Sequence, residues 1–237
     1  MSVLFLTIGC CARMYAQENP VGNFLQQAGS NADIYNGKIE ANYNVFQFDN
    51  LPYYKNPELT AATIIYRKSY YPRQRVRLDL FKEQLIVSTP DGRYGIVLYS
   101  PDVEKVVMYN KTFRWLNPAK ESGLKPGFYI HLEEGKKVQL FCKESYTSQQ
   151  NAITVNSNRN TRFYRFDLDI RYYLLYDNRY YPVKNKGSFT KLFSQYKKQI
   201  NQFSKEHKLK FEKEEKDESL TSLAGYCDEL LTSTSKQ

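Results

Sequence analysis

Asp167 and Asp169 are the pair of side chains in this 237-residue chain whose spacing best suits acid–base work. Residues two apart on a strand share a face at about 7 Å, within the range where paired carboxylates hydrolyse glycosides with inversion. That chemistry needs one carboxyl to keep its proton, and the flanking Arg165 and Arg171 are expected to hold both ionised. The row Arg165, Asp167, Asp169, Arg171 therefore reads first as a self-neutralising charge ladder and only second as a hydrolase pair. The same guanidinium groups oppose a hard-cation site.

Imidazole chemistry has little to draw on, since the histidines are His131 and His207 alone. His131 and Cys142 invite a Cys–His dyad because they fall on consecutive candidate strands. If Glu134-Gly135 is the tight loop between those strands, His131 faces Val138 and Cys142 faces Gly127. The two side chains then stand four residues apart along the strand, about 13 Å, beyond the reach of a dyad. No Gly-x-Ser-x-Gly elbow, phosphate loop or dinucleotide glycine pattern is present. The expectation is a chain without catalytic residues, metal or cofactor.

What remains is aromatic and basic surface. The chain holds 21 Tyr and 14 Phe, and the tyrosines pair at Tyr53-Tyr54, Tyr70-Tyr71, Tyr172-Tyr173 and Tyr180-Tyr181. Adjacent residues of a strand point to opposite faces, so each pair is expected to place one ring in the core and one outward. Outward rings beside arginines suit contact with a protein or a glycan. Tyr54, Tyr71, Arg73, Arg75, Tyr146, Tyr173 and Tyr181 are the candidate binding residues.

The elements that would position them follow from periodicity. From Ile34 to Val183 the dominant period is two, clearest over Phe163 to Tyr176, where Tyr164, Phe166, Leu168, Ile170, Tyr172 and Leu174 share one face. Shorter strand candidates are 37–48, 62–68, 75–81, 84–89, 93–99, 103–109, 113–116, 127–133, 137–144 and 179–184, with turn signals at Asp91-Gly92, Asn117-Pro118, Glu134-Gly135 and Asp177-Asn178. This predicts a mainly β protein, an antiparallel meander curled into a barrel or folded into a sandwich. The polar run Ser145 to Asn160 interrupts the meander and reads as a long loop. After Gly187 the period lengthens: 189–206 is predicted as an amphipathic helix capped by Ser188, and 216–231 as a second. Cys142 and Cys227 sit in apolar stripes and read as buried thiols, with a disulfide as the alternative.

At the N-terminus, Val3 to Ala16 reads as an export signal, although no Lys or Arg precedes it. Two ends compete: cleavage after Ala16, which is favoured, or lipidation at Cys10 within Thr7-Ile8-Gly9-Cys10. The expected organisation is a signal over 1–16, a linker over 17–33, one domain over 34–231 and a loose tail over 232–237. No later segment is long and apolar enough for a transmembrane helix. The chain carries 34 Lys and Arg against 25 Asp and Glu, and from Lys184 to Asp217 ten lysines oppose five carboxylates. Such an excess suits peripheral contact with an anionic envelope surface, while an exported chain without a recognition motif is a poor nucleic-acid binder.

Several short motifs occur in order: Leu51-Pro52-Tyr53-Tyr54, Arg77-Leu78-Asp79-Leu80, Phe113-Arg114-Trp115-Leu116, Gly127-Phe128-Tyr129, and Arg179-Tyr180-Tyr181-Pro182-Val183-Lys184 leading into a helix over Ser188–His207. Together they resemble a broad group of uncharacterised exported proteins of Gram-negative bacteria, over residues 35–231. The resemblance implies a periplasmic or outer-membrane-associated, β-rich domain with terminal helices, and it carries over no catalytic residue. The sequence thus points to a non-enzymatic binding or accessory module for an envelope protein or glycan, with a hydrolase of envelope glycan as the alternative.

Overall fold

The computed structural model of the protein describes residues 32–44, 48–156, 159–212 and 214–234, with the backbone alone at 150–156, at 159–163 and at 234. The export signal, both of its candidate ends and nearly all of the 17–33 linker lie outside these residues. Eleven strands follow in chain order: β1 (Lys38–Ile39), β2 (Thr60–Tyr66), β3 (Ser69–Asp79), β4 (Gln84–Ser88), β5 (Gly95–Val97), β6 (Val103–Met108), β7 (Lys111–Leu116), β8 (Gly127–Glu134), β9 (Val138–Asn156), β10 (Arg159–Tyr176) and β11 (Arg179–Val183). They form one antiparallel sheet in the order β1-β5-β4-β3-β2-β6-β7-β8-β9-β10-β11. A single sheet removes the sandwich alternative, and its first and last strands are not paired with each other.

The alternation read from the sequence builds the core. Across eight strands, Tyr71, Ile64, Val106, Phe113, Ile130, Cys142, Tyr172 and Val183 stand in cross-strand register. All eight are buried. Three C-terminal helices cover this face: α1 (Lys186–Leu192), α2 (Lys197–Glu206) and α3 (Lys216–Thr234). They contribute Phe189, Phe193, Ile200, Leu220, Leu223 and Cys227 to the same core. Cys142 and Cys227 are both buried free thiols. No described helix is long and apolar enough to cross a membrane.

Three local expectations are corrected. The helix predicted over 189–206 is two helices joined by a 3-10 turn at Ser194–Tyr196. Its first turn begins earlier, after Asn185, and Ser188 Oγ accepts the Lys184 N–H instead of capping the helix forward. The polar run Ser145 to Asn160 is not one long loop: its residues 145–156 form the distal part of β9 and 159–160 the start of β10, and β9 and β10 are paired residue by residue from Asp169↔Ser145 to Phe163↔Asn151. Main-chain pairing between two neighbouring strands supplies what apolar contacts do not, and Tyr146-Thr147 and Ile153-Thr154-Val155 are residue types that favour the extended backbone.

The third correction concerns His131. The β8–β9 turn is longer than Glu134-Gly135 alone, because the Asp228 carboxylate of α3 accepts the N–H groups of Lys137 (2.5 Å) and Val138 (2.8 Å). A register shift between His131 and Glu133 completes the change, so His131 faces Phe141 and Cys142 faces Ile130. His131 and Cys142 therefore lie one position apart across the two strands, far nearer than the expected 13 Å, but they project from opposite faces, and the dyad fails on facing alone. The His131 ring stacks on Phe141 with centroids 4.4 Å apart, and its Nδ1 accepts the Arg114 Nε–H at 3.1 Å. Burial lowers its pKa.

Candidate functional site

The core face of β9 and β10 continues past the last helical residue that covers it. Cys142 and Tyr172 are cross-strand partners in the buried row, and the next pairs on that face are Glu144 with Ile170 and Tyr146 with Leu168. Periodicity made Leu168 and Ile170 core residues, yet they are 46% and 45% exposed. The reason lies in the helices. α3 begins at Lys216 and meets the sheet at Tyr172, whose hydroxyl donates to Asp217 Oδ1 at 2.8 Å. Beyond that contact the sheet face is left open at Leu168 and Ile170, and this open patch is termed the hollow.

Polar groups gather where the helix ends. Asp217 Oδ2 pairs with Lys111 Nζ at 3.1 Å, and the Lys216 ammonium lies 5.0 Å from the centre of the Tyr172 ring. A carboxylate in the first turn of α3 is favoured by the unpaired N–H groups of that turn. The Tyr54 ring forms the floor, edge-on to Phe113 at 4.8 Å and 5.9 Å from Tyr109, and Lys55 Nζ stands 5.5 Å from the centre of that ring. A separate cleft of about 530 Å³, lined by Lys111, His131, Leu132, Asp217 and Thr221, shares Lys111 and Asp217 with this patch and reaches neither Leu168 nor Ile170.

Glu144 lies beside these groups on the core face of β9. Burial raises its pKa, the charge of Asp217 adds to the rise, and Lys55 and Lys111 oppose it. Tyr54 is also pushed up, by burial first and then by the charges of Glu144 and Asp217. Burial raises the Cys142 thiol well above its usual range, so it stays protonated and is a poor nucleophile. The arrangement can grip a partly apolar ligand over a tyrosine support and offer it both signs of charge, beside a carboxyl whose pKa burial raises. A carboxyl whose pKa is raised on folding stabilises the native state below its unfolded pKa, and that contribution is lost as pH rises through the folded value. The stability of wild type minus that of Glu144→Gln, taken from urea unfolding, is therefore expected to be larger at pH 5 than at pH 7.5. A difference that grows with pH would mean that Glu144 is held ionised.

Of the seven candidate residues, the structure brings Tyr54 and Tyr146 to this hollow. Tyr54 is only 4% exposed, so it supports the surface and does not project from it. Tyr53 is equally buried, against the expectation of one ring out. Tyr53 is not in a long strand: it makes a single bridge to Asp79, and its hydroxyl donates to Glu40 beneath the Arg77 guanidinium. At the next pair the outward ring is Tyr70, while Tyr71 belongs to the buried row. Arg73 and Arg75 are exposed on β3 and far along the sheet from the hollow, with Arg73 in the left-handed region (φ 53°) where β3 shifts register against β2. Tyr173 packs half-buried into a small cluster on the outer face with Tyr129, Phe141 and Leu124. Tyr181 stands opposite Leu174 on the core face, half-buried. Lys55, Lys111, Glu144 and Asp217 were missed.

The Asp167–Asp169 pair lies on the outer face. Arg165 Nε is 3.3 Å from Asp167 Oδ1, and Arg171 Nε is 2.6 Å from Asp169 Oδ2. Each carboxylate is thus neutralised by its own arginine, in the open.

Comparison with protein-family models, with curated proteins and with solved structures returns no match. The class defined by the structure is a mainly β protein built on one open, eleven-stranded antiparallel sheet with C-terminal helices on its core face.

Proposed function

We propose that this protein is an exported envelope module that binds a partner protein or glycan without catalysing a reaction, and that the hollow on β9 and β10 is its recognition surface. The observation that carries this reading is the pair Leu168 and Ile170, held about half exposed on the face that elsewhere forms the core. Large apolar side chains left open beside tyrosines and opposed charges are the composition of a recognition site. The ion pairs at Asp167 and Asp169 weigh against the hydrolase alternative, because a general acid must keep its proton near neutral pH.

A photo-crosslinking residue at Leu168 in the exported protein, activated in native envelopes, tests the reading. A discrete adduct is expected that disappears in a folded Ile170→Asp variant. Asp167→Asn with Asp169→Asn is expected to keep both the adduct and complementation of a deletion strain. A folded double variant that is null, with Arg165→Ala and Arg171→Ala active, would restore the hydrolase. The absence of any adduct at Leu168 would remove the hollow as the recognition surface.

A further inference from the structure

We infer that the edge of β10 between Asp167 and Arg171 is a slot for a short extended peptide of a partner protein, which joins the sheet there as an added strand; this rests on the binding reading and specifies the partner. β10 is paired with β9 along its whole described length. Its other edge is covered only in part. β11 pairs with Tyr172 through Tyr176, and at the far side Phe48 bridges Tyr164 while the Asp49 N–H donates to the Tyr164 carbonyl at 3.0 Å. The Asn50 side chain takes up the Phe166 main-chain groups, and between Phe166 and Tyr172 no described residue pairs with the edge.

The direction of the main-chain groups there is fixed by alternation. In an antiparallel ladder every second residue turns its N–H and C=O away from a given neighbour. Phe166 turns both away from β9, since its N–H donates to Asn50 Oδ1 and its carbonyl accepts from Asn50 Nδ2, each at 2.8 Å. The register runs unbroken from Tyr164 to Tyr176, so Leu168 and Ile170 present their N–H and C=O groups to the same open edge. Asn50 already does with its side-chain amide what an incoming strand would do with its backbone. An open edge of this kind is a template for strand addition.

Side chains define what fits. Leu168 and Ile170 project from one face, and a partner strand would lay apolar residues beside them. On the other face the charges of Asp167 and Asp169 are cancelled by Arg165 and Arg171, so uncharged polar residues suit the alternate positions. Five residues of strand span about 17 Å, which sets the length of the segment. A second copy pairing through the same edge does not fit. With slot matched antiparallel to slot, Arg171 of one copy would face Asp167 of the other, and the β11 of each would then lie where the other's β10 runs past Phe166.

The test selects a random seven-residue peptide library displayed on phage against the folded protein, then measures the recovered peptides in solution. Apolar–polar alternation is expected, with slowed amide exchange at the Leu168 and Ile170 N–H groups on binding. Methylating the backbone nitrogens on the pairing edge of the peptide is expected to weaken binding about 30-fold, since it deletes main-chain donors and leaves every side chain in place. Recovered peptides that protect other amides, or that bind equally well when methylated, overturn the strand-addition slot. Recovery of sequences matching this chain's own first 31 residues would assign the slot to the chain itself and overturn the partner. The two readings separate cleanly: a Leu168 adduct in envelopes with no methylation effect rejects strand addition alone, whereas no adduct rejects the recognition surface beneath it.

Discussion

Glu83→Ala is expected to lower the unfolding free energy by about 3–5 kcal/mol, while Glu83→Gln combined with Lys143→Met leaves it unchanged or raises it. The β3–β4 turn inserts Glu83 against the outer face of β8 and β9. Its Oε1 meets Lys143 Nζ at 2.5 Å, its Oε2 accepts the Phe128 N–H at 2.7 Å, and Lys143 Nζ donates to the Phe128 carbonyl at 2.9 Å. Burial is the largest influence on both groups, raising the carboxyl and lowering the ammonium. The two directions agree: the attraction between the charges only offsets the cost of removing them from water. Deleting one partner therefore strands the other, whereas the Gln and Met pair keeps an acceptor for Phe128 and fills the space. Urea unfolding of the two variants beside wild type decides it, and a double variant as unstable as Glu83→Ala would mean that the ion pair is strongly favourable on balance.

The same contact explains a motif. A methyl group at Gly127 would lie 2.6 Å from both Glu83 Oε2 and Lys143 Nζ, so the Gly-Phe-Tyr run opens on the one residue that leaves room for the pair. The Arg77 and Asp79 motif has a similar origin. Asp79 is 1% exposed and accepts the Tyr43 hydroxyl and the N–H groups of Phe81 and Lys82, while Arg77 pairs with Glu40. These residues fasten Glu40, Tyr43 and Tyr53 to the sheet. They are scaffold, although their types alone suggest chemistry.

Much of the sheet was legible because half-buried strands advertise themselves with a period of two. Strand ends were less so. Arg67-Lys68 and Tyr109-Asn110 are two-residue turns with both residues at positive φ, linking β2 to β3 and β6 to β7. Neither contains glycine, so the alternation runs through the first as strand and places the start of β3 several residues late. The 145–160 run was hidden for a different reason. It is a ribbon of two strands, and a polar sequence gives no sign that its backbone groups find partners far along the chain.

The hollow was hidden in part by a good rule. Leu168 and Ile170 obey the core alternation, and nothing in β10 says that the helices stop short of them. A weaker signal lay in β9: Leu140, Cys142, Glu144 and Tyr146 share one parity, and a glutamate among apolar residues marks where the face ceases to be dry. Lys111 and Asp217 lie more than a hundred residues apart, and only the docking of α3 brings them together.

That docking can be tested through Phe193, which joins α1 to the 3-10 turn. Its N–H donates to the Phe189 carbonyl at 2.8 Å and its φ and ψ of −108° and 56° leave the helical region, so the chain bends there. A straight helix over 189–206 would run about 27 Å along one line, whereas with the bend Phe189, Phe193 and Ile200 all belong to the core against the sheet. Phe193 is 3% exposed and meets Tyr176 of β10 edge-on, with centroids 5.1 Å apart. Phe193→Ala is expected to cost about 3–5 kcal/mol, from lost burial and the cavity left between α1 and β10. Lys197→Ala, one turn onward at an exposed position, is expected to move stability by less than about 0.5 kcal/mol. Chemical denaturation of both variants gives the comparison. Similar losses from the two would mean that the helices do not bear on the sheet through this face, and the edge of the hollow set by α3 would have to be redrawn with them.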